Sequence, residues 1–226
     1  MNIKHIFFDL DHTLWDFEAN SKNTFEFIFD KNNIDVILKD FSNIYKTINE
    51  KYWKLYREDK VTKADLRYAR LKETFDELQY NIDDYKIDIL SEDYIEYLSK
   101  YNALFYGTIE ILEYLKPKYE LHIITNGFEE VQHKKLKNSF ILPYFKHIIS
   151  SEKAGVKKPN PKIFQFALEM SGAKPEESMM IGDNFEADIM GAKNIGMHTI
   201  FCEFNGGNIP KNGITISKLG DLENYL

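Results

Sequence analysis

An apolar run near the start of the chain ends abruptly in two carboxylates. Ile3 and residues 6–8 form the run, and Asp9 and Asp11 follow it. A short, continuous apolar run predicts a buried strand. Ligands bind at the carboxyl ends of strands in open α/β sheets, so this junction predicts an acidic site at a sheet edge. An ordinary turn after a strand fits the same residues, because Asp and Thr are common turn residues. The rest of the chain separates the two interpretations.

From residue 107 onward, short apolar runs alternate with helical patterns. The runs cover residues 121–125, 145–151, 179–182 and 198–203. Asn160-Pro161 is typical of a helix start and Ser171-Gly172 of a helix end. A further helix is predicted from residue 184 to Ile195, and residues 203–212 predict a loop. This alternation predicts an α/β fold whose core is a Rossmann-like, doubly wound parallel sheet covered on both faces.

The stretch between these two regions is helical in character. Apolar residues recur at helical spacing from Phe41 to Tyr56, and no proline occurs between Asp16 and Lys116. We therefore expect an inserted all-helical domain over residues 15–105. The catalytic α/β core is then expected to comprise residues 1–14 and 106–226.

Composition excludes several classes of protein. The 226 residues include 29 basic and 36 acidic ones, a net charge of −7, without a basic cluster. This charge argues against a nucleic-acid polymer as partner, because such binding depends on phosphate neutralisation. The single cysteine, Cys202, excludes an internal disulfide and fits a reducing compartment. Without a leader or a bilayer-spanning run, the sequence predicts a cytoplasmic protein that binds no membrane and is a monomer or a weak homodimer.

Polar groups lie near the ends of several predicted strands, and parallel strands would bring them to one edge. Mg²⁺ prefers oxygen ligands, and phosphoryl transfer needs positive charge and hydrogen-bond donors around the phosphate oxygens. The Thr125 hydroxyl and the turn amides of Asn126 and Gly127 can donate to such oxygens, and Lys158 supplies a positive charge. The full set of candidate residues is Asp9, Asp11, Thr125, Asn126, Lys158, Asp183 and Asp188.

These residues resemble four motifs of the haloacid dehalogenase-like hydrolase superfamily. The motifs are Asp9-Leu10-Asp11-His12-Thr13, Thr125-Asn126-Gly127, Lys158-Pro159, and Gly182-Asp183 followed by Asp188. The insertion after the first motif resembles the cap of the first cap class. Residues 124–128 and 158–164 are similar to the cytoplasmic pyrimidine 5′-nucleotidase branch. Tyr106-Gly107 departs from the Pro-Gly that members usually have at the cap exit.

The resemblance implies a Mg²⁺-dependent phosphatase acting on a small phosphate monoester, with a nucleoside 5′-monophosphate as the expected substrate. Asp9 matches the nucleophile that forms an aspartyl-phosphate, and Asp11 matches the general acid and base. Asp9, the backbone carbonyl of Asp11 and Asp183 match the Mg²⁺ ligands. Thr125 and Lys158 match the phosphate-binding pair, and Asp188 matches a residue that orients Lys158 or a metal-bound water.

Substrate selection and two other functions remain open at this stage. Candidate substrate contacts are an aromatic ring at Trp15 and the polar groups of Arg67, Tyr68 and Arg70. A phosphomutase or a sugar-phosphate phosphatase would use the same scaffold, and a non-enzymatic binding protein is the third alternative. A dehalogenase lacks the second aspartate of the first motif, so Asp11 argues against that reaction.

Overall fold

The structure is a computed structural model that describes residues 2–204 and 213–226. These residues form two compact units. The first, here called the core unit, comprises Met1–Phe17 and Asn102–Leu226, and the second, the helical unit, comprises Glu18–Tyr101. Residues 205–212, which make up most of the predicted loop over 203–212, lie outside the described residues.

A parallel sheet of six strands forms the centre of the core unit. In chain order the strands are β1 (His5–Phe8), β2 (Glu120–Thr125), β3 (Phe145–Ser150), β4 (Ser178–Gly182), β5 (His198–Cys202) and β6 (Ile214–Ile216). Their spatial order is β3-β2-β1-β4-β5-β6, and every neighbouring pair is parallel. The predicted parallel sheet is therefore confirmed. The sequence pattern does not predict β6, which is only three residues long.

The central strand β1 is buried on both faces. Ile6, Phe7 and Phe8 are all fully inaccessible to solvent, which explains why the run shows no polar alternation. Burying each such side chain stabilises the fold by about 1.5–3 kcal/mol. The strand order reverses between β1 and β4, so the ends of these two strands flank the switch point where open α/β sheets bind ligands.

The helical unit packs around an aromatic core. Its helices are α1 (Phe17–Asn32), α2 (Leu38–Arg57), α3 (Lys63–Glu77) and α4 (Asp84–Leu98). The ring of Phe25 lies 4.7 Å, centroid to centroid, from each of Phe41, Tyr45 and Tyr94. Aromatic pairs at this distance stabilise a core beyond the area that they bury.

The helices of the core unit follow the predicted alternation. They are α5 (Thr108–Leu115), α6 (Glu129–Asn138), α7 (Ser151–Ala154) and α8 (Pro161–Ser171), with 3₁₀ turns at Leu142–Tyr144, Pro175–Glu177 and Leu219–Asn224. In α8, the predicted start and end are confirmed: the Asn160 side chain accepts a hydrogen bond from the Lys162 amide at 3.0 Å, and Gly172 ends the helix with φ 66°. Within the described part of the chain, no helix has the length and apolar character needed to cross a membrane.

The segment after β4 differs from the ordinary helix predicted there. Phe185–Met190 is π-helical, and only Gly191–Lys193 continues as an α-helix. The Asp188 carboxylate accepts a hydrogen bond from the Asn184 amide at 3.0 Å, and the Ile189 amide reaches the carbonyl of Asn184. The wider turn keeps Asp188 fully buried beneath the end of β4. Single π-turns of this kind occur frequently at functional sites.

Candidate active site

Lys158 occupies the centre of a buried charge cluster beneath the end of β1. Its ammonium lies 2.8 Å from Asp9 Oδ1, 2.7 Å from Asp188 Oδ1 and 2.7 Å from the carbonyl oxygen of Ile124. Only 2% of the lysine side chain is exposed. Burial alone would lower the pKa of Lys158, but the charges of Asp188 and Asp9 outweigh it and raise the pKa to about 12. The lysine is therefore a fixed positive charge.

Asn126 holds this lysine in place through the backbone. Its side-chain oxygen accepts a hydrogen bond from the Lys158 amide at 2.8 Å, and its side-chain nitrogen donates to the Lys158 carbonyl at 3.0 Å. Lys158 itself lies in the loop between α7 and α8, not at the end of β3 as the sequence pattern indicates. The Asn126 side chain is thus a support for Lys158, and the predicted phosphate contact through the Asn126 backbone amide stays a prediction.

Thr125, at the end of β2, is oriented to donate a hydrogen bond. Its hydroxyl oxygen accepts hydrogen bonds from the Gly127 amide at 3.0 Å and from Gln132 Nε2 at 2.8 Å. With both lone pairs occupied, the hydroxyl proton is the group left to donate.

Asp9 and Asp183 face each other across the switch point between β1 and β4. One carboxylate oxygen from each of Asp9, Asp183 and Asp188 lies within 4.8 Å of the other two. Burial, outweighing the opposing charge of Lys158, raises the pKa of Asp9 to about 7. Burial and the charges of Asp9 and Asp188 raise the pKa of Asp183 well above its usual value. A divalent cation would relieve this repulsion, so the donor set fits Mg²⁺.

Asp9 and Asp183 each have one engaged side-chain oxygen, whereas both side-chain oxygens of Asp188 are engaged. One forms the ion pair with Lys158, and the other accepts the hydrogen bond from the Asn184 amide. The Thr13 hydroxyl donates a hydrogen bond to one carboxylate oxygen of Asp183 at 3.2 Å. The second carboxylate oxygen of Asp183 can then bind a cation. Asp9 and Asp183 are therefore the side chains best placed to hold a metal.

Asp11 is held apart from Asp9 by two residues of α6 that the sequence analysis misses. Lys135 Nζ lies 2.6 Å from Asp11 Oδ1, and Gln132 Nε2 donates to Asp11 Oδ2 at 2.9 Å. Both side chains are almost completely buried. A signal for them exists in the sequence, because they share the inward face of α6 with Val131 and Leu136. Polar residues on such a face need partners.

Trp15, the predicted aromatic contact for the substrate, lies beside Lys135 in the structure. Trp15 is fully buried, and Lys135 Nζ lies 4.1 Å from the centre of its ring. The lysine covers one face of the ring, and the contact between Trp15 and a planar base stays a prediction. The cation–π contact helps to position Lys135, and through it Asp11.

The three polar candidates in the helical unit occupy different environments. Arg70 is buried, donates to Asn49 at 2.9 Å and lies over the ring of Tyr94. It therefore stabilises the helical core, and its predicted substrate contact is not supported. Tyr68 donates to Asp84 at 2.7 Å, and Arg67 is half-buried. Both of these remain predictions as substrate contacts.

Comparison with known proteins identifies similar sequences and folds. A model of the haloacid dehalogenase-like hydrolase family matches residues 3–196. Pyrimidine 5′-nucleotidase YjjG of Escherichia coli is 32% identical, with 98% of this chain and 96% of that protein covered. Glyceraldehyde 3-phosphate phosphatase of Methanothermobacter thermautotrophicus is also 32% identical, with 97% of this chain and 96% of that protein covered. The crystal structure of the magnesium-bound HAD-hydrolase YfnB from Bacillus subtilis has a TM-score of 0.90 at 29% identity, with 99% and 98% covered.

We predict that Gly182→Ala disrupts the charge cluster. A Cβ at this position would lie 2.3 Å from Asp188 Oδ2. Asp188 must therefore move, which weakens its ion pair with Lys158. We expect a loss of about 1–3 kcal/mol in the free energy of unfolding, as for overpacked cores. Gly220→Ala is the matched control, because a Cβ there meets nothing within 4 Å. Urea unfolding measures both variants, and equal stability of the two would contradict the prediction.

The raised pKa of Asp9 predicts a pH trend in the metal-free protein. The pKa rises from 3.8 in the unfolded reference to about 7 in the folded protein, mainly because of burial. Between about pH 4 and pH 7 the folded state therefore binds the additional proton, and stability falls as pH rises through this window. Thermal unfolding in EDTA should show a larger loss of stability from pH 5 to pH 8 for the parent than for Asp9→Asn. If the stability of the two proteins changed equally between pH 5 and pH 8, the raised pKa of Asp9 would be refuted.

Proposed function

Because this chain belongs to the haloacid dehalogenase-like hydrolase family, we propose that it is a Mg²⁺-dependent phosphatase that hydrolyses phosphate monoesters through a phosphorylated Asp9. The observation that carries the proposal is the separation of the two aspartates after β1. Asp9 is paired with Lys158, whereas Asp11 is paired with Lys135 and Gln132. Two carboxylates in different environments can take two different chemical roles.

We propose that Asp9, Asp183 and the backbone carbonyl of Asp11 hold the Mg²⁺ ion. When bound, the ion would neutralise charge on the phosphoryl oxygens. Magnesium in the crystal structure of the similar protein YfnB supports this proposal. The Thr125 hydroxyl donates to a phosphoryl oxygen, and Lys158 binds another with the N–H group that Asp9 accepts in this structure. Asn126 and Asp188 keep Lys158 in position. Catalysis then depends mainly on positioning and charge stabilisation.

The proposed reaction has two steps. In the first, a carboxylate oxygen of Asp9 attacks phosphorus, the bond between phosphorus and the ester oxygen breaks, and protonated Asp11 gives its proton to that oxygen. In the second, Asp11 removes a proton from a water molecule as that water attacks phosphorus. The bond between phosphorus and Asp9 then breaks, inorganic phosphate leaves, and both aspartates return to their starting forms.

A nucleoside 5′-monophosphate is the substrate class that we propose. The support is the similarity over nearly the whole chain to pyrimidine 5′-nucleotidase YjjG. Equal identity to a glyceraldehyde 3-phosphate phosphatase makes a sugar-phosphate phosphatase the second candidate. Arg67 and Tyr68 are the proposed polar contacts that select the substrate.

Phosphate release from a panel of substrates tests the substrate class. We expect kcat/KM for uridine or thymidine monophosphate to exceed that for hexose phosphates and for glyceraldehyde 3-phosphate. Equal or reversed efficiencies would favour the sugar-phosphate phosphatase. Transfer of the phosphoryl group to a sugar, without release of inorganic phosphate, would instead indicate a phosphomutase.

The roles of the two aspartates predict different mutant phenotypes. Asp9→Asn should show neither turnover nor a phosphoenzyme. Asp11→Asn should lose about 10²–10⁴-fold in rate, the usual contribution of a positioned proton donor. The loss should be larger for a nucleotide than for p-nitrophenyl phosphate, because nitrophenolate leaves without a proton.

Intact-protein mass spectrometry provides the direct measurement. Asp11→Asn mixed with p-nitrophenyl phosphate and Mg²⁺ should gain one phosphoryl group, because the second step lacks its base. Peptide mapping should locate the group on Asp9, and Asp9→Asn/Asp11→Asn is the control that should remain unmodified. Equal rate losses on both substrates together with an unmodified Asp11→Asn would refute the proposed role of Asp11.

A further inference from the structure

We propose that His5, Glu120 and His122 form a binding site for a divalent transition-metal ion, with Zn²⁺ as the favoured ion. The three residues lie at the beginning of β1 and β2, and His5 and Glu120 are direct partners in the strand register. Asp9 follows the other end of β1, about 13 Å away at the usual rise per residue. The site is therefore separate from the catalytic centre.

The distances between the potential ligand atoms match a tetrahedral site. His5 Nδ1 lies 3.3 Å from His122 Nε2 and 3.5 Å from Glu120 Oε2. With Zn–N bonds of about 2.0–2.1 Å, two ligands of a tetrahedral ion are about 3.3–3.4 Å apart. One ligand atom from each of the three residues lies within 4.8 Å of the others. Two imidazoles and one carboxylate leave the fourth position of the ion for water.

The protonation states of the three residues also suit a metal. Burial lowers the pKa of His5, and burial with the charges of His5 and His147 lowers the pKa of His122 to about 3. The hydrogen bond from Lys146 lowers the pKa of Glu120. At neutral pH both rings are neutral and the carboxylate is ionised, so protons do not compete with the metal. Imidazole ligands favour Zn²⁺ and related ions over Mg²⁺.

Simple packing accounts for part of this cluster but not for all of it. His122 stacks between Phe7 and His147, with ring centroids 4.7 and 5.4 Å away. Yet His122 is fully buried, and its Nε2 atom faces His5 Nδ1 at hydrogen-bond distance, 3.3 Å. Two buried ring nitrogens this close need a shared proton or a metal ion between them, whereas ring packing alone would require neither.

The cluster reaches solvent through Glu120. The Glu120 side chain is 45% exposed, and Lys146 Nζ binds both of its carboxylate oxygens at 2.8 and 2.9 Å. The Lys146 side chain is 53% exposed, so it can rotate into water as a metal ion enters. The bound ion would link β1 to β2 and stabilise the sheet at the end remote from the chemistry.

Titration of the whole protein with Co²⁺ and Zn²⁺ in excess Mg²⁺ tests the proposal. Excess Mg²⁺ occupies the aspartate site, and Co²⁺ reports four-coordinate geometry by its visible absorption. We expect one equivalent of Co²⁺ that Zn²⁺ displaces, together with a higher melting temperature in Zn²⁺. Glu120→Gln and His5→Gln should weaken binding by at least about tenfold, since even outer-shell changes cost about 10–100-fold.

His147→Gln is the matched control, because His147 stacks on His122 but lies outside the three-residue cluster. It should bind Co²⁺ as tightly as the parent. If His5→Gln does not fold, Glu120→Gln at its more exposed position carries the test. The proposal would be overturned by the absence of a bound equivalent in excess Mg²⁺. It would also be overturned by parental affinity in Glu120→Gln, or by an equal loss in His147→Gln.

Discussion

The buried ammonium of Lys158 is the interaction on which the arrangement of the site depends. A charge removed from water is costly unless opposite charges and hydrogen bonds surround it. Asp9, Asp188 and the Ile124 carbonyl provide that environment, and they come from segments far apart in sequence. The lysine therefore holds β1, β2 and the turn after β4 in one arrangement. Removing the lysine would leave the buried carboxylates of Asp9 and Asp188 without their shared opposite charge.

Small residues make this arrangement possible at two positions. A Cβ at Gly127 would lie 2.4 Å from the Gln132 side chain, and a Cβ at Gly182 would lie 2.3 Å from Asp188. Gly127 lies two residues after β2, and Gly182 ends β4. At each position a polar side chain from the following helical segment folds back under the sheet edge. In both places a side chain would exclude the polar group that supports a neighbouring site residue.

Sequence reasoning predicted the groups that follow strands and missed Gln132 and Lys135, which lie on α6. Asp9 and Asp183 could be predicted because the carboxyl ends of parallel strands lie at the same edge of a sheet. Gln132 and Lys135 were missed because α6 is mostly polar, so two more polar residues on its inner face do not stand out. Nothing near Trp15 in the sequence indicates that Lys135 covers a face of its ring. The π-helical turn depends on the buried position of Asp188, which local sequence does not determine.

The place at which the chain leaves and re-enters the core unit has a consequence for how the protein folds. Phe8 of β1 pairs with Ile123 of β2, more than 100 positions later in the chain. Pairing of the central strand is therefore a non-local contact, and such contacts form slowly during folding. Contacts within residues 18–101 are much more local. The Asp16 amide donates to the Ala103 carbonyl at 3.1 Å. This hydrogen bond joins the segment where the chain leaves the core unit to the segment where it returns. Once that contact forms, the loop that β1 and β2 must close is about four times shorter, which saves about 1 kcal/mol of closure entropy. The length of the helical insertion can therefore change during evolution with little effect on the assembly of the sheet.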